Sequence, residues 1–242
     1  MSKTIIAFDL YGTILSTESI SQELSTQYGD DNDLSRQIAT NWRRYQLEYT
    51  FRLNSMGIYR SFEAVTTAAL HHALAEVNLK ATEDQETSLM QAYNRLSVFS
   101  DAHAGLALIE KNTEGLDTCI FSNGTLKMIS ESVAPFSSDS SLFRKIVTVE
   151  DVQVFKPDKR TYEHLLKQYE KENKPGDVWL VSSNPFDVVG AIAAGLKAAW
   201  VDRTQKGWVD NLGNTIGDNI KPTMIAKGVD EAVQLIVPYN SS

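Results

Sequence analysis

The sequence predicts an α/β fold: a doubly wound, Rossmann-like parallel sheet with an all-helical segment inserted after the first strand. Three observations carry that expectation. Short apolar runs alternate with amphipathic helical stretches, the pattern of successive βαβ units. Polar clusters stand at or just after the carboxyl ends of these runs, where open parallel sheets bind ligands. Residues 16–98 contain no convincing strand pattern and carry one helical periodicity after another.

The first run, Thr4 to Phe8, ends in Asp9 and is broken by Tyr11-Gly12-Thr13, which reads as a buried parallel strand with a loop at its end. In the insert, Leu34, Ile38, Trp42, Tyr45, Tyr49 and Leu53 step by three or four and form one apolar helix face. At about 100° per residue, Arg43, Leu47 and Thr50 fall on a separate face, so this helix is expected to pack into a bundle on one side and cover something on the other. A second strand is expected at Leu116 to Phe121, ending in Ser122-Asn123-Gly124 before a helix from Thr125. Further strands are expected at Lys145 to Val149, Val178 to Val181 and Ala198 to Val201. Helices are expected near Ala102 to Lys111, Lys159 to Lys171 and Asp187 to Ala194, the last closed by Gly195. The expected division is a core of residues 1–15 and 99–242 and a helical subdomain of residues 16–98.

A chain of 242 residues suits one large domain or one domain with a smaller insert, at roughly 150 residues per domain. Hydrophobic residues make up 42% and charged residues 22%, a globular composition that excludes disorder, collagen-like repeats and coiled coil. The net charge of −8 argues against nucleic acid or an anionic membrane as the partner. Cys119, the single cysteine, has no internal partner, and its neighbours Ile120 and Phe121 suggest a buried thiol in a reducing compartment. No apolar stretch is long enough to span a bilayer or serve as a secretory leader, so a cytoplasmic location is expected.

The polar clusters are Asp9-Leu10-Tyr11-Gly12-Thr13, Ser122-Asn123-Gly124, Lys156-Pro157 and Ser182-Ser183-Asn184-Pro185-Phe186-Asp187. Each alone has an ordinary explanation as a cap, a turn or a solvated loop. In this order at successive strand ends they point to one site. They resemble the motifs of the haloacid dehalogenase (HAD) superfamily and, within it, the L-2-haloacid dehalogenase group. Asp9 and Thr13 match the Asp-x-x-x-Thr motif, Ser122 the second, Lys156 the third and Asp187 the fourth, and the likeness runs from Phe8 to about Arg203, insert included. The resemblance implies a HAD-like core with a helical cap.

Tyr11 stands where the superfamily's phosphatases carry a second Asp as general acid, and a phenol of pKa about 10 is a poor substitute at neutral pH. Val181-Ser182-Ser183-Asn184 likewise supplies neutral groups where those phosphatases build a magnesium site. No metal and no cofactor are therefore expected. Trp42-Arg43 followed by Gln46-Leu47-Glu48-Tyr49-Thr50 resembles the dehalogenase segment that carries the halide-binding arginine.

The resemblance implies that Asp9 is the nucleophile and that Ser122, Lys156 and the backbone N–H groups of Leu10 and Tyr11 receive the substrate carboxylate. Arg43 and Asn184 take the halide, while Tyr11, Leu47, Phe62 and Phe186 wall the pocket. Asp187 directs water at the ester, Thr13, Asn123 and Ser182 support the nucleophile loop and Lys156, and Tyr162 orients the Lys156–Asp187 pair. Arg44 and Phe186 depart from the group's usual Gln and Trp, which bears on the choice of substrate. The expected activity is hydrolysis of short (S)-2-haloalkanoates to (R)-2-hydroxy acids, with a homodimer expected from the resemblance. Other readings stay open: the same attack on another small carboxylate, such as a strained cyclic amino acid, a magnesium-dependent phosphatase, or a non-catalytic binding protein.

Overall fold

In a computed structural model of the chain, residues 3–29, 31–111, 115–135, 143, 145–217 and 220–239 are described. The first strand, β1 (Thr4–Phe8), is followed by four helices, α1 (Ser21–Tyr28), α2 (Asn32–Met56), α3 (Phe62–Glu76) and α4 (Glu83–Tyr93). The chain then runs through α5 (Ser100–Lys111), β2 (Leu116–Ser122), α6 (Leu126–Val133), β3 (Lys145–Thr148), α7 (Lys159–Gln168) and β4 (Val178–Ser182). It closes with α8 (Pro185–Ala193), β5 (Lys197–Val201), α9 (Gly213–Ile216), β6 (Met224–Ala226) and α10 (Val229–Tyr239).

The strands form one parallel sheet in the order β3-β2-β1-β4-β5-β6. Ile6, Ala7 and Phe8 are fully buried, as a central strand covered on both faces requires. Chain direction across the sheet reverses at β1, so the loops after β1, β2 and β4 converge at the switch point where such sheets bind ligands. Register sharpens this convergence. Phe8 pairs with Ile120 on one side and Val181 on the other, which brings Asp9 level with the ends of β2 and β4.

The insertion leaves and rejoins the sheet through two adjacent segments, with Ser16 N–H donating to Ser97 O at 2.8 Å and Phe99 N–H to Ile14 O at 3.0 Å. Helix α2 starts at Asp31, whose carboxylate accepts the N–H groups of Asp33 and Leu34, and stops at Gly57 in the left-handed region at φ +64. Its apolar face packs on α3: Ile38, Trp42 and Tyr45 are buried, and the Trp42 indole N–H donates to Thr66 O at 2.8 Å.

Several boundaries differ from the sequence expectation for local reasons. Helix α7 ends at Gln168 rather than Lys171, because Glu170 turns to φ +54 and Lys171 N–H closes back on Leu166 O. Helix α8 starts at Pro185, since proline has no N–H to lose in a first turn. Strand β6 and helix α10 were not anticipated. Val229, Ala232, Val233 and Ile236 of α10 are buried, and α10 meets α5 so closely that a Cβ on Gly105 would stand 2.9 Å from Asp230 N. Cys119 is fully buried, and burial pushes its thiol up to about 12. Among the described residues no helix is long and apolar enough to cross a membrane.

Candidate active site

At the end of β1, Asp9 is only 7% exposed, and its carboxylate is gripped on both oxygens. Oδ2 accepts the Thr13 hydroxyl at 2.8 Å, the Asn184 amide at 2.7 Å and the Ser182 hydroxyl at 3.4 Å. Oδ1 faces Lys156 Nζ at 3.2 Å. The loop after β3 delivers Lys156, whose backbone N–H is held by Asn123 Oδ1 at 2.9 Å, so the turn after β2 sets the lysine's place. Its ammonium also donates to Phe121 O at 2.7 Å and Asp187 Oδ2 at 2.8 Å. All three of its protons are thus committed.

Asp187, in the first turn of α8, is fully buried. Burial raises its pKa and the Asp9 charge adds to the rise, against the opposing pull of Lys156 and the Tyr162 hydroxyl. Tyr162 donates to Asp187 Oδ1 at 2.7 Å and to Asp187 O at 3.1 Å. Burial, with Asp187 and Asp9 nearby, drives the Tyr162 phenol well above its ordinary pKa, so it stays a donor. Two carboxylates therefore share one ammonium in a dry site. Beside them Ser182, Ser183 and Asn184 supply only neutral groups, a poor donor set for a hard divalent cation; among the described residues, no three His, Cys, Asp or Glu side chains gather as a metal site.

The insertion supplies the opposite wall. Arg43, on the second face of α2, donates to Tyr11 O at 3.0 Å and to Asn184 Oδ1 at 3.4 Å. Its other terminal nitrogen donates to Gln46 Oε1 at 2.7 Å. Tyr11 stacks between Phe62 and Tyr93, with ring centroids 5.6 and 5.7 Å away, and burial drives its phenol above the ordinary range. A donor so reluctant to ionise does not serve as a general acid.

The sequence-derived residues fall mainly in this one place. Ser122 is buried at the end of β2, where its Oγ accepts Gly124 N–H at 3.1 Å and keeps its own proton for another partner. Leu10 is buried, and the N–H groups of Leu10 and Tyr11 meet no acceptor among the described residues. Leu47 is half-buried one turn beyond Arg43. Phe186 is turned edge-on to Phe51 at 5.3 Å, toward α2. Arg44 does not face the site: it is exposed and pairs with Glu76 of α3 at 3.3 Å and the Tyr45 hydroxyl at 2.6 Å. Its departure from the group's usual residue was expected to bear on substrate choice, but its guanidinium is taken up by Tyr45 and Glu76.

Sequence reasoning missed Gln46, Asn54, Asp101 and Arg203. Gln46 is fully buried, accepts from Arg43 and from the Tyr93 hydroxyl (3.0 Å), and donates to Thr66 Oγ1 at 2.7 Å. The available signal was a polar residue one turn from Arg43. For Arg203 it was a charged residue just beyond β5, the kind of position that marks the other clusters.

A family model described as haloacid dehalogenase-like hydrolase matches residues 3–195. The chain belongs to this family. The hydrolase is 34% identical over 232 residues to an (S)-2-haloacid dehalogenase of Pseudomonas fluorescens, covering 95% of each chain. It is 36% identical over 210 residues to (S)-2-haloacid dehalogenase H-109 of Pseudomonas putida, covering 87% of this chain and 90% of that one. Its fold superposes with a TM-score of 0.83, at 28% identity and over 98% and 99% of the two chains, on L-2-haloacid dehalogenase from Xanthobacter autotrophicus with chloropropionic acid covalently bound.

Proposed function

We propose that this hydrolase cleaves the carbon–halogen bond of short (S)-2-haloalkanoic acids through an ester on Asp9, releasing halide and the (R)-2-hydroxy acid without metal or cofactor. The observation that carries this reading is the guanidinium of Arg43 and the amide of Asn184 standing beside a buried carboxylate, with Tyr11 unable to act as an acid. Such a site stabilises a leaving group that needs charge but no proton. The full-length likeness to (S)-2-haloacid dehalogenases supports it.

In this reading the substrate carboxylate takes the free N–H groups of Leu10 and Tyr11 and the Ser122 hydroxyl, while the Lys156 protons are taken by Asp9, Phe121 O and Asp187. An Asp9 oxygen attacks C2 from the side opposite the halogen. The C–O bond forms as the C–halogen bond breaks, which inverts C2, and halide leaves toward Arg43 and Asn184. Leu47, Phe62 and Phe186 keep this space dry. Water then attacks the ester carbon of Asp9 while Asp187 takes its proton. The bond between that carbon and the oxygen bound to C2 breaks, Asp187 returns the proton to the departing oxygen, and the 2-hydroxy acid and the Asp9 carboxylate are released. Thr13, Asn123, Ser182 and Tyr162 hold the reacting groups in register.

In the same reading residues 16–98 form the cap and residues 1–15 and 99–242 the core, the active form is a homodimer, and the enzyme works in the cytoplasm. Light scattering behind gel filtration checks the dimer, expected at twice the 27.0 kDa chain mass.

The deciding experiment measures halide release from each enantiomer of 2-chloropropionate with metals chelated, alongside aryl phosphate hydrolysis with magnesium. Chloride from the (S) form alone is expected, and Asp9→Asn abolishes it in a folded protein. Phosphate without chloride overturns the reading in favour of a phosphatase. Silence in both redirects it to other small carboxylates or a binding role.

A further inference from the structure

Each carbonyl from Leu10 to Thr13 has a partner, and the partners approach from two sides. Leu10 O is used inside the turn by the N–H groups of Thr13, Ile14 and Leu15 at 3.3, 3.0 and 2.9 Å. Tyr11 O accepts Arg43 and the Asn184 amide from the active-site side. Gly12 O and Thr13 O point the other way, and both are taken by one side chain, Arg203, at 3.2 and 2.7 Å. Ser183 Oγ shares Gly12 O at 2.6 Å.

Arg203 is itself fixed. Asp101, at the start of α5, receives its Nε at 3.0 Å and its Nη2 at 2.8 Å, the two-pronged pairing a guanidinium makes with a carboxylate. Asp101 Oδ2 also accepts Val229 N–H at 2.8 Å, and the guanidinium lies 3.7 Å from the centroid of the Phe99 ring. A planar fork can meet a carboxylate and two carbonyls together, which an ammonium cannot. The loop needs such a hold because Gly12 sits at φ +89, a hinge with little stiffness of its own.

We propose that Arg203, anchored by Asp101, is a positioning residue that clamps the nucleophile loop from behind and so sets where Asp9 points. The lever is Thr13, whose carbonyl Arg203 holds while its hydroxyl donates to Asp9 Oδ2. Its catalytic consequence rests on the dehalogenase reading above. A nucleophile misplaced by an ångström lowers the rate by about 100-fold; the same loop carries the Leu10 and Tyr11 N–H groups, so affinity falls too, but less, because Ser122 lies outside the loop and keeps its place.

The test uses the full chain and three variants, Arg203→Ala, Arg203→Lys and Asp101→Asn. For (S)-2-chloropropionate, Arg203→Ala is expected to lower kcat about 100-fold and to raise KM by a smaller factor, Arg203→Lys nearly as much, and Asp101→Asn less. Added guanidinium restores part of the Arg203→Ala rate but none of the Arg203→Lys rate. It has a way in, because a cavity of about 370 Å³ lined by Gly12, Phe99, Ser183 and Arg203 opens behind the loop. Amide hydrogen exchange, read by mass spectrometry, is expected to quicken in residues 10–15 of Arg203→Ala and not across the sheet. Wild-type kcat in folded Arg203→Ala overturns the proposal, as does unchanged exchange in residues 10–15. Should that variant not fold, wild-type kcat and exchange in Asp101→Asn overturn it equally. If the wild type releases no halide from either enantiomer, the dehalogenase reading fails while the exchange measurement still decides the clamp.

Discussion

Asp187 and Tyr162 set the proton inventory of the site. The Tyr162 hydroxyl stabilises the Asp187 carboxylate, and burial works against it. Removing that donor in Tyr162→Phe raises the Asp187 pKa further, so the acid limb of the kcat–pH profile is expected to move to higher pH. An unmoved limb would separate Asp187 from the rate. Stability follows the same sign. Because the folded state holds the Asp187 proton more tightly than the unfolded chain, where an aspartate titrates near its ordinary 3.8, this group's contribution to stability is lost as pH rises from there through the folded pKa. The residue types were legible in the sequence, because Asp9, Ser122, Lys156 and Asp187 follow strand ends in order. The commitment of all three Lys156 protons was not, since one acceptor is the backbone carbonyl of Phe121, which carries no residue signature.

The element pair that matters most for Asp187 is α7 against α8. They approach so closely that a Cβ on Gly190 would stand 2.5 Å from the Tyr162 hydroxyl and 2.7 Å from Pro157 Cβ. Gly190→Ala is expected to destabilise the fold by about 1–3 kcal/mol, read as a lower urea midpoint. It also pushes Tyr162 off Asp187, so its pH profile should shift as that of Tyr162→Phe does. At this scale the early strands were readable because central parallel strands are continuous apolar runs; β1 falls where its run predicts, at Thr4–Phe8. Strand β6 has three residues at the sheet edge, too few for any period to show. The buried residues of α10, Val229, Ala232, Val233 and Ile236, do recur at helical spacing, so this helix carries a local signal that β6 lacks.

On the scale of the whole molecule, the insertion lies over the switch point, with Arg43 reaching Tyr11 O and Asn184. Beyond Arg43, Asn54 near the end of α2 makes a matched pair with the core, donating to Phe155 O at 2.6 Å and accepting Phe155 N–H at 2.9 Å. Lys127 and Glu63 also bridge the two parts at 3.4 Å, but both are largely exposed, and such pairs contribute little. Asn54→Leu is therefore expected to raise KM for the haloacid, with about 1 kcal/mol at stake per hydrogen bond. Lys127→Ala should leave KM close to that of the parent. Equal effects from both variants would mean that the closure is not carried by Asn54.

The sequence by itself determined the parallel α/β sheet, the helical insertion after β1 and the identities of the groups at the switch point. Strand runs, helical faces and strand-end polar clusters are local patterns, and local patterns survive in one dimension. Only the tertiary structure decided that Arg203 and Asp101 reach the Asp9 loop, that Asn54 ties α2 to Phe155, and that Arg44 turns toward Glu76. These contacts join residues far apart in the chain, several of them ending on backbone carbonyls. A carbonyl is the same at every residue, so its partner is chosen by the geometry of the packed elements and not by the sequence around it.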